Sequence, residues 1–328
     1  MKRRRSDAVE AKLVELEQIP GLSDATEIAQ RLTAALGHRH YRVVAKAADL
    51  CVEKLAYDLA PALVNAYQRF VHDPVTTDKT CRAKRAIVRA LYELDYDDTS
   101  FYCDAIGYRQ LEPVWGGSVD TAVELRCSAA LGLAATGYPR AAIELLELLN
   151  DPEWLARAGA VRAIALLNPL QAEIVLRGKV LQGDEAPEVI GECFGALLSI
   201  EPQESLALVA RYLREAPADV QEMAALALGD SRLDEAFDVL RLYWEEGALS
   251  SALCRILLRA MALSRHSRAY DFLLARIEAD SAETAAAAVA ALAIYRHNDE
   301  LRARVQAAAT RRPEPQIAQA FEETWQEV

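Results

Sequence analysis

The chain has 328 residues, of which 37 are Lys or Arg and 49 are Asp or Glu, so its formal net charge is −12. This acidic balance disfavours nucleic acid as the main partner, because phosphate contacts require clustered positive charge. No apolar run approaches the length of a membrane span, since the most hydrophobic segment covers only residues 285–294. Ala and Leu, both strong helix formers, dominate the apolar residues, and we therefore expect an all-α protein.

The N-terminal segment is basic, but it does not have the pattern of an export signal. Ser6–Glu10 follows the charged start Met1–Arg5 where an apolar segment would be needed. The six cysteines are dispersed and form no C-x-x-C pair, a pattern typical of reduced thiols in a cytoplasmic protein. We interpret residues 1–37 as this basic tail together with capping helices.

An internal repeat occupies residues 38–310. The helix-core segment Ala130–Ala134 recurs after shifts of 31, 33, 31, 33 and 32 residues. In the first five copies the third position is small and the fourth is large and apolar, so stacked helices can approach closely at one point and interlock at the next. A second helical pattern beginning at Ala141 follows the same shifts, and each unit is therefore predicted to be a helical hairpin.

The period is longer early in the chain. Leu91 matches Leu133 at a separation of 42 residues, which places an insertion at about residues 107–118. After the array, residues 311–328 are interpreted as a C-terminal capping helix, in which Trp325 covers the last apolar layer and Glu322, Glu323 and Glu327 face water.

Two segments, Arg126–Leu133 and Ala224–Arg232, resemble the HEAT-repeat family in its compact bacterial form, the HEAT-like or PBS-lyase-type repeat. The shared pattern is an Ala-rich first helix ending in Leu-Gly, followed by Asp-x-Arg at the entry to the second helix. This resemblance implies an armadillo-like, right-handed α-solenoid, an α-α superhelix of about eight hairpins that each contact only their neighbours.

The insertion carries the strongest candidate binding residues. Tyr108, Arg109, Glu112 and Trp115 precede the pair Gly116–Gly117 on what we expect to be a loop. Loops on a rigid scaffold often carry binding residues, and Trp and Arg are enriched in interface hot spots. A structural alternative stays open, in which Trp115 plugs the groove beside the longer repeat.

No catalytic or metal-binding constellation stands out. The pair His38 and His40 has no further ligand nearby in sequence, and Asp95–Asp98 lacks the spacing of a calcium loop. We expect Asp98 to cap the following helix and Cys193, between Gly191 and Gly195, to be a packed core thiol. No cofactor is predicted.

The leading hypothesis is a non-catalytic scaffold that binds a protein partner, whose identity is open, through the insertion and a concave surface of second helices. The candidate groove residues are Arg140, Arg177, Arg211 and Arg241. Two alternatives remain. The repeat resemblance implies a bilin-lyase-like, chromophore-handling protein, and similarity to alkylpurine glycosylases implies nucleic-acid binding through an early basic patch. The residues of that patch are Arg39, His40, Arg42, Lys46, Lys79, Arg82, Lys84, Arg85 and Arg89.

Overall fold

The repeated sequence unit corresponds to pairs of consecutive helices. The computed structural model describes residues 2–247 and 249–326, with side chains from residue 8 onward. The first helices of the pairs are α3 (Tyr41–Glu53), α6 (Arg82–Glu93), α8 (Val123–Ala135), α10 (Trp154–Ile164), α12 (Pro187–Ile200), α14 (Ala218–Asp230), α16 (Ser251–Leu263) and α18 (Ala282–Leu292). The second helices are α4 (Ala60–Val71), α7 (Thr99–Ile106), α9 (Ala141–Leu148), α11 (Pro169–Gln182), α13 (Pro202–Glu215), α15 (Asp234–Glu246), α17 (Ser267–Ala279) and α19 (Asp299–Thr310).

The remaining elements lie outside these pairs. The other helices are α1 (Lys2–Glu17), α2 (Ala25–Leu36), α5 (Pro74–Thr77) and α20 (Pro315–Thr324), and short 3-10 turns occur at Ile19–Gly21, Tyr57–Leu59, Lys79–Cys81 and Ala293–Tyr295. Two strands, β1 (Leu111–Val114) and β2 (Gly117–Asp120), form an antiparallel hairpin. In the described part of the chain, no helix is both long and apolar enough to cross a membrane.

Local capping explains where many of these helices begin. Asp98 accepts a hydrogen bond from the backbone N–H of Phe101 at the start of α7, as predicted. Ser250 and Ser281 cap α16 and α18 in the same way. Proline occupies the first turn of several other helices, where its missing N–H leaves no hydrogen bond unmade.

The chain divides within α11 into two compact units, residues 1–175 and 176–328. In the first unit, α3 packs on α6, α6 on α8 and α8 on α10. Small residues permit this close stacking. Between the first helices α8 and α10, a Cβ at Gly159 would be 2.5 Å from Sγ of Cys127. Within the α8 unit, Gly132 lies against the buried ring of Tyr102 of α7, and a Cβ there would be 2.2 Å from the ring carbon Cε1. The core of this unit is therefore a continuous layer of neighbouring first helices.

In the second unit, α12, α14, α16 and α18 pack in succession. The closest approach is at Gly229, where a Cβ would be 2.1 Å from the backbone oxygen of Ala260. Beyond the last pair, Trp325 is buried and donates its indole N–H to the carbonyl of Val289. Glu327 lies outside the described residues.

The prediction of an all-α solenoid fold, with helical hairpins stacked on their sequence neighbours, is thus confirmed within each unit. The described residues contain eight such hairpins. The assignment of residues 1–37 and 311–328 as caps of the array stays a prediction.

Candidate partner-binding site

The insertion at 107–118 is an ordered β-hairpin, where the sequence predicted a loop. Leu111 pairs with Asp120 at its base and Val114 with Gly117 at its tip. Trp115 and Gly116 form the two-residue connection, and Gly116 has a φ of +87°, a backbone conformation that glycine adopts without strain. The hairpin therefore fixes the position of Trp115, whereas a mobile loop would leave this residue free to move.

Trp115 at the tip is completely exposed, with 104% of its reference surface accessible. Three further apolar side chains of the hairpin, Leu111, Val114 and Val119, are half or more exposed. Trp115 does not plug a groove between helices, so the structural alternative considered for this side chain is wrong. The hairpin presents a small apolar surface to solvent.

A buried polar network holds this hairpin on the helices, and we call its side chains the hairpin base. They are Asp78, Lys84, Tyr108, Arg109, Gln110, Glu112, Asp120, Arg126 and Asp151. Arg126 of α8 is the centre of one half. It is fully buried, and its guanidinium donates to Asp120 Oδ2 at 2.6 Å, to Asp151 Oδ1 at 3.2 Å and to the carbonyl of Tyr108 at 3.1 Å.

Arg109 completes this half of the hairpin base from the surface. Its guanidinium donates to Asp151 Oδ2 at 2.9 Å, and it lies 3.6 Å from Asp120 Oδ2. The two carboxylates are almost completely buried, whereas 45% of the Arg109 side chain is exposed. Arg109, which the sequence predicted as a binding residue, thus joins the hairpin to the helices, and part of its charged side chain is exposed to solvent.

Burial alone would raise the pKa of Asp120. The backbone N–H groups of Ala122 and Gln110 and the guanidinium of Arg126 outweigh that effect, so the pKa of this carboxyl lies below its usual range. Asp120 is therefore ionised near neutral pH and matches the positive charge of Arg126.

Glu112 belongs to the second half of the hairpin base. Its Oε1 accepts from the backbone N–H of Thr80 at 2.6 Å, from Gln110 Nε2 at 2.7 Å and from the hydroxyl of Thr121 at 3.0 Å. Gln110 also donates to the carbonyl of Asp78. Glu112, predicted as a binding residue, therefore fastens strand β1 to the turn before α6.

Beneath Glu112 lies a fully buried ion pair between Lys84 Nζ and Asp78 Oδ2, 2.8 Å apart. Asp78 also accepts from the backbone N–H groups of Ala83 and Lys84, and Lys84 donates to the carbonyl of Phe70. The ammonium lies 5.5 Å from the ring centroid of Tyr108. Tyr108 is thus a structural contact of the second half of the base.

A spacing in the sequence could have identified this network. Asp78 precedes Lys84 by six residues, and the same interval separates Asp120 from Arg126 and Asp151 from Arg157. All of these side chains are buried, and each carboxylate caps or precedes a first helix. Two of these pairs are ionic, and in the third Arg157 donates to the backbone carbonyl of Asp151. The Asp-x5-Lys/Arg pattern therefore marks buried polar contacts at equivalent positions of three consecutive units.

The four predicted groove arginines differ in their local surroundings, and their role in a groove stays a prediction. Arg177 donates to the carbonyl of Glu204, and Arg241 lies 2.8 Å from Glu245 and 3.7 Å from Asp238. Arg211 lines a cavity of about 520 Å³ together with Glu215 and stacks on Tyr212. Arg140 lies in the first unit, exposed at the start of α9.

Four cations of the early basic patch are paired with carboxylates. Lys84 is buried, Arg85 pairs with Glu124 at 2.8 Å, Arg89 pairs with Asp49 at 2.7 Å and Arg42 pairs with Glu10 at 2.7 Å. Lys79 and Arg82 remain exposed beside the hairpin base. These contacts weigh against a nucleic-acid surface on α3 and α6, because paired or buried cations cannot replace the counterions of phosphate.

The thiols and imidazoles have structural environments. Cys51, Cys81 and Cys193 are buried, and burial raises the pKa of each thiol to about 12, which disfavours the reactive thiolate. His38 Nδ1 accepts from the backbone N–H of His40, and His40 in turn caps α3. Among the described residues no group of three or more His, Cys, Asp or Glu side chains has the arrangement of a metal site.

Comparisons with known proteins give little further information about this site. No protein-family model matches the sequence, and no curated protein matches it. One similar solved structure is that of the complex of CpcE and CpcF of phycocyanin lyase from Nostoc sp. PCC7120. It has 16% sequence identity and a TM-score of 0.34, over 77% of this chain and 92% of that chain.

Proposed function

We propose that this chain is a non-catalytic scaffold that binds a protein partner through the hairpin β1–β2, with Trp115 as the central contact residue. The observation that supports this most strongly is the complete exposure of Trp115 at the tip of an ordered hairpin. Exposing an indole to water is unfavourable unless a partner covers it, and Trp is among the residues that contribute most to binding energy at interfaces.

The hairpin base supports the same proposal. Buried ion pairs such as Arg126 with Asp120 contribute less to net stability than apolar packing of similar volume, but they fix the relative positions of the elements that they join. Here they hold a ribbon whose own side chains point mostly to solvent. A rigid ribbon loses little conformational entropy when a partner binds, which favours recognition at the tip.

The test is a pull-down from a lysate of the native host with the wild-type chain, Trp115→Ala and Trp154→Ala. Trp154 is a matched control, since it is an exposed tryptophan at the start of α10. We expect one protein to be retained by the wild type and Trp154→Ala and lost with Trp115→Ala. Far-ultraviolet circular dichroism confirms that the three chains fold equally.

A retained protein must then be purified and must bind the wild-type chain directly, as measured by titration calorimetry. Loss of the tip indole is expected to weaken this binding by about 2 kcal/mol or more. Equal binding of wild type and Trp115→Ala would refute the proposed role of the hairpin.

A further inference from the structure

The charges around the hairpin base are distributed asymmetrically. Its three aspartates, Asp78, Asp120 and Asp151, are buried, and each is matched by a buried or partly buried cation. Lys79 and Arg82 are exposed, whereas the charge of Arg109 is already matched by Asp151. Lys79 and Arg82 flank Thr80, whose backbone N–H donates to Glu112 of β1. The surface next to the apolar ribbon is therefore locally cationic on a chain of net charge −12.

We infer that the partner segment recognised by the hairpin is an acidic protein segment containing an aliphatic or aromatic residue. This inference rests on the proposed function and adds the chemistry of the partner. The apolar residue would pack on Trp115, and flanking Asp or Glu side chains would face Lys79 and Arg82. Complementary charges of this kind speed association and discriminate between partners.

A protein segment fits these observations better than an anionic membrane. Charge interactions are screened over about 8 Å at physiological ionic strength, so a short segment bound next to the hairpin base experiences mainly Lys79 and Arg82. An anionic membrane surface extends far beyond this patch and acts on the charge of the whole chain, which is −12 and is repelled by anionic lipid.

The experiment selects peptides from a random displayed library on the immobilised full chain, with Trp115→Ala used to remove peptides that bind elsewhere. An enriched peptide is then titrated by fluorescence anisotropy against the wild type and Lys79→Gln/Arg82→Gln. The control is Arg304→Gln/Arg311→Gln, which removes two exposed cations from the second unit. Neither double variant changes a side chain of the hairpin base.

We expect Trp115-dependent peptides rich in Asp and Glu. Their affinity should fall by roughly 2- to 30-fold in Lys79→Gln/Arg82→Gln, as estimated from exposed ion pairs, and should stay unchanged in the control. Affinity for the wild type should also fall as the salt concentration rises.

Trp115-dependent peptides that are neutral or basic, or that bind both double variants equally, would overturn the inferred partner chemistry while leaving the proposed function intact. An empty selection would overturn the inference as well. So would Trp115-dependent retention of the chain on vesicles containing phosphatidylserine. The proposed function itself fails separately, if the purified native partner binds Trp115→Ala as tightly as it binds the wild type.

Discussion

Replacing Arg126 by Met tests the role of the hairpin base in detail. Methionine keeps much of the volume of the side chain but removes the donors to Asp120, Asp151 and the carbonyl of Tyr108. Removing one member of a buried ion pair typically costs about 3–5 kcal/mol, because the remaining charge is left in a low-dielectric environment. Arg109 still reaches Asp151, so we expect a cost near the lower end, about 3 kcal/mol.

The assay is urea unfolding followed by circular dichroism, with Arg255→Met as the matched control. Arg255 pairs with Glu283 at 3.1 Å, but both side chains are more than half exposed. Exposed pairs contribute about 0–1 kcal/mol, so the control is expected to unfold almost as the wild type does.

The cost of Arg126→Met is also expected to depend on pH. The pKa of Asp120 lies below its ordinary value in the folded wild type, so this carboxylate stabilises the fold above about pH 4. That contribution is lost as the pH falls through the folded pKa. The difference between wild type and variant should therefore be largest near neutral pH and should shrink in acid.

Hydrogen exchange at the amides of residues 111–120 gives a second measurement. The wild-type hairpin should be protected, and Arg126→Met should open it locally. A cost below 1 kcal/mol together with unchanged exchange in the hairpin would refute the claim that the buried network holds this ribbon.

Three further substitutions and one chemical labelling experiment test the fold. Gly229→Ala should destabilise by about 1–3 kcal/mol, because its Cβ would be 2.1 Å from the backbone oxygen of Ala260. Gly195 lies in open space on α12, so Gly195→Ala should stabilise the fold by up to about 1 kcal/mol. If thermal unfolding showed that Gly229→Ala and Gly195→Ala shift the melting temperature in the same direction, the close contact at Gly229 would be contradicted. Asp98→Ala should cost about 0.5–2 kcal/mol by removing the cap of α7, and an unchanged urea midpoint would argue against that cap. Finally, Cys193 should resist alkylation at neutral pH until the chain unfolds, since burial raises its thiol pKa to about 12. Labelling of Cys193 itself within minutes in the native chain, measured by mass spectrometry of the peptide that contains it, would refute this.

The internal repeat allowed the fold to be predicted from the sequence. Small and large apolar residues at fixed intervals predicted which helices stack, and Gly132 and Gly229 lie at close approaches. The capping role of Asp98 was also predictable, because it depends on residues adjacent in sequence.

The candidate site was harder to predict from the sequence, because its contacts join residues that are distant in sequence. Lys84 was predicted to be part of an exposed basic patch, but the rotation of α6 places it in the interior against Asp78. The strand β1 contains Pro113, which weakens any strand prediction, and its pairing depends on contacts such as Glu112 with Thr80. Sequence could also not decide whether Trp115 was buried, since that follows from the hairpin turn.

Site-specific photo-crosslinking tests the central claim most directly. A photoreactive phenylalanine analogue replaces Trp115 in one chain and Trp154 in another, each expressed in the native host and irradiated in intact cells. We expect a crosslinked protein partner from position 115 and none from position 154. Crosslinks of equal yield at both positions, or none at position 115, would contradict a partner-binding role for the hairpin.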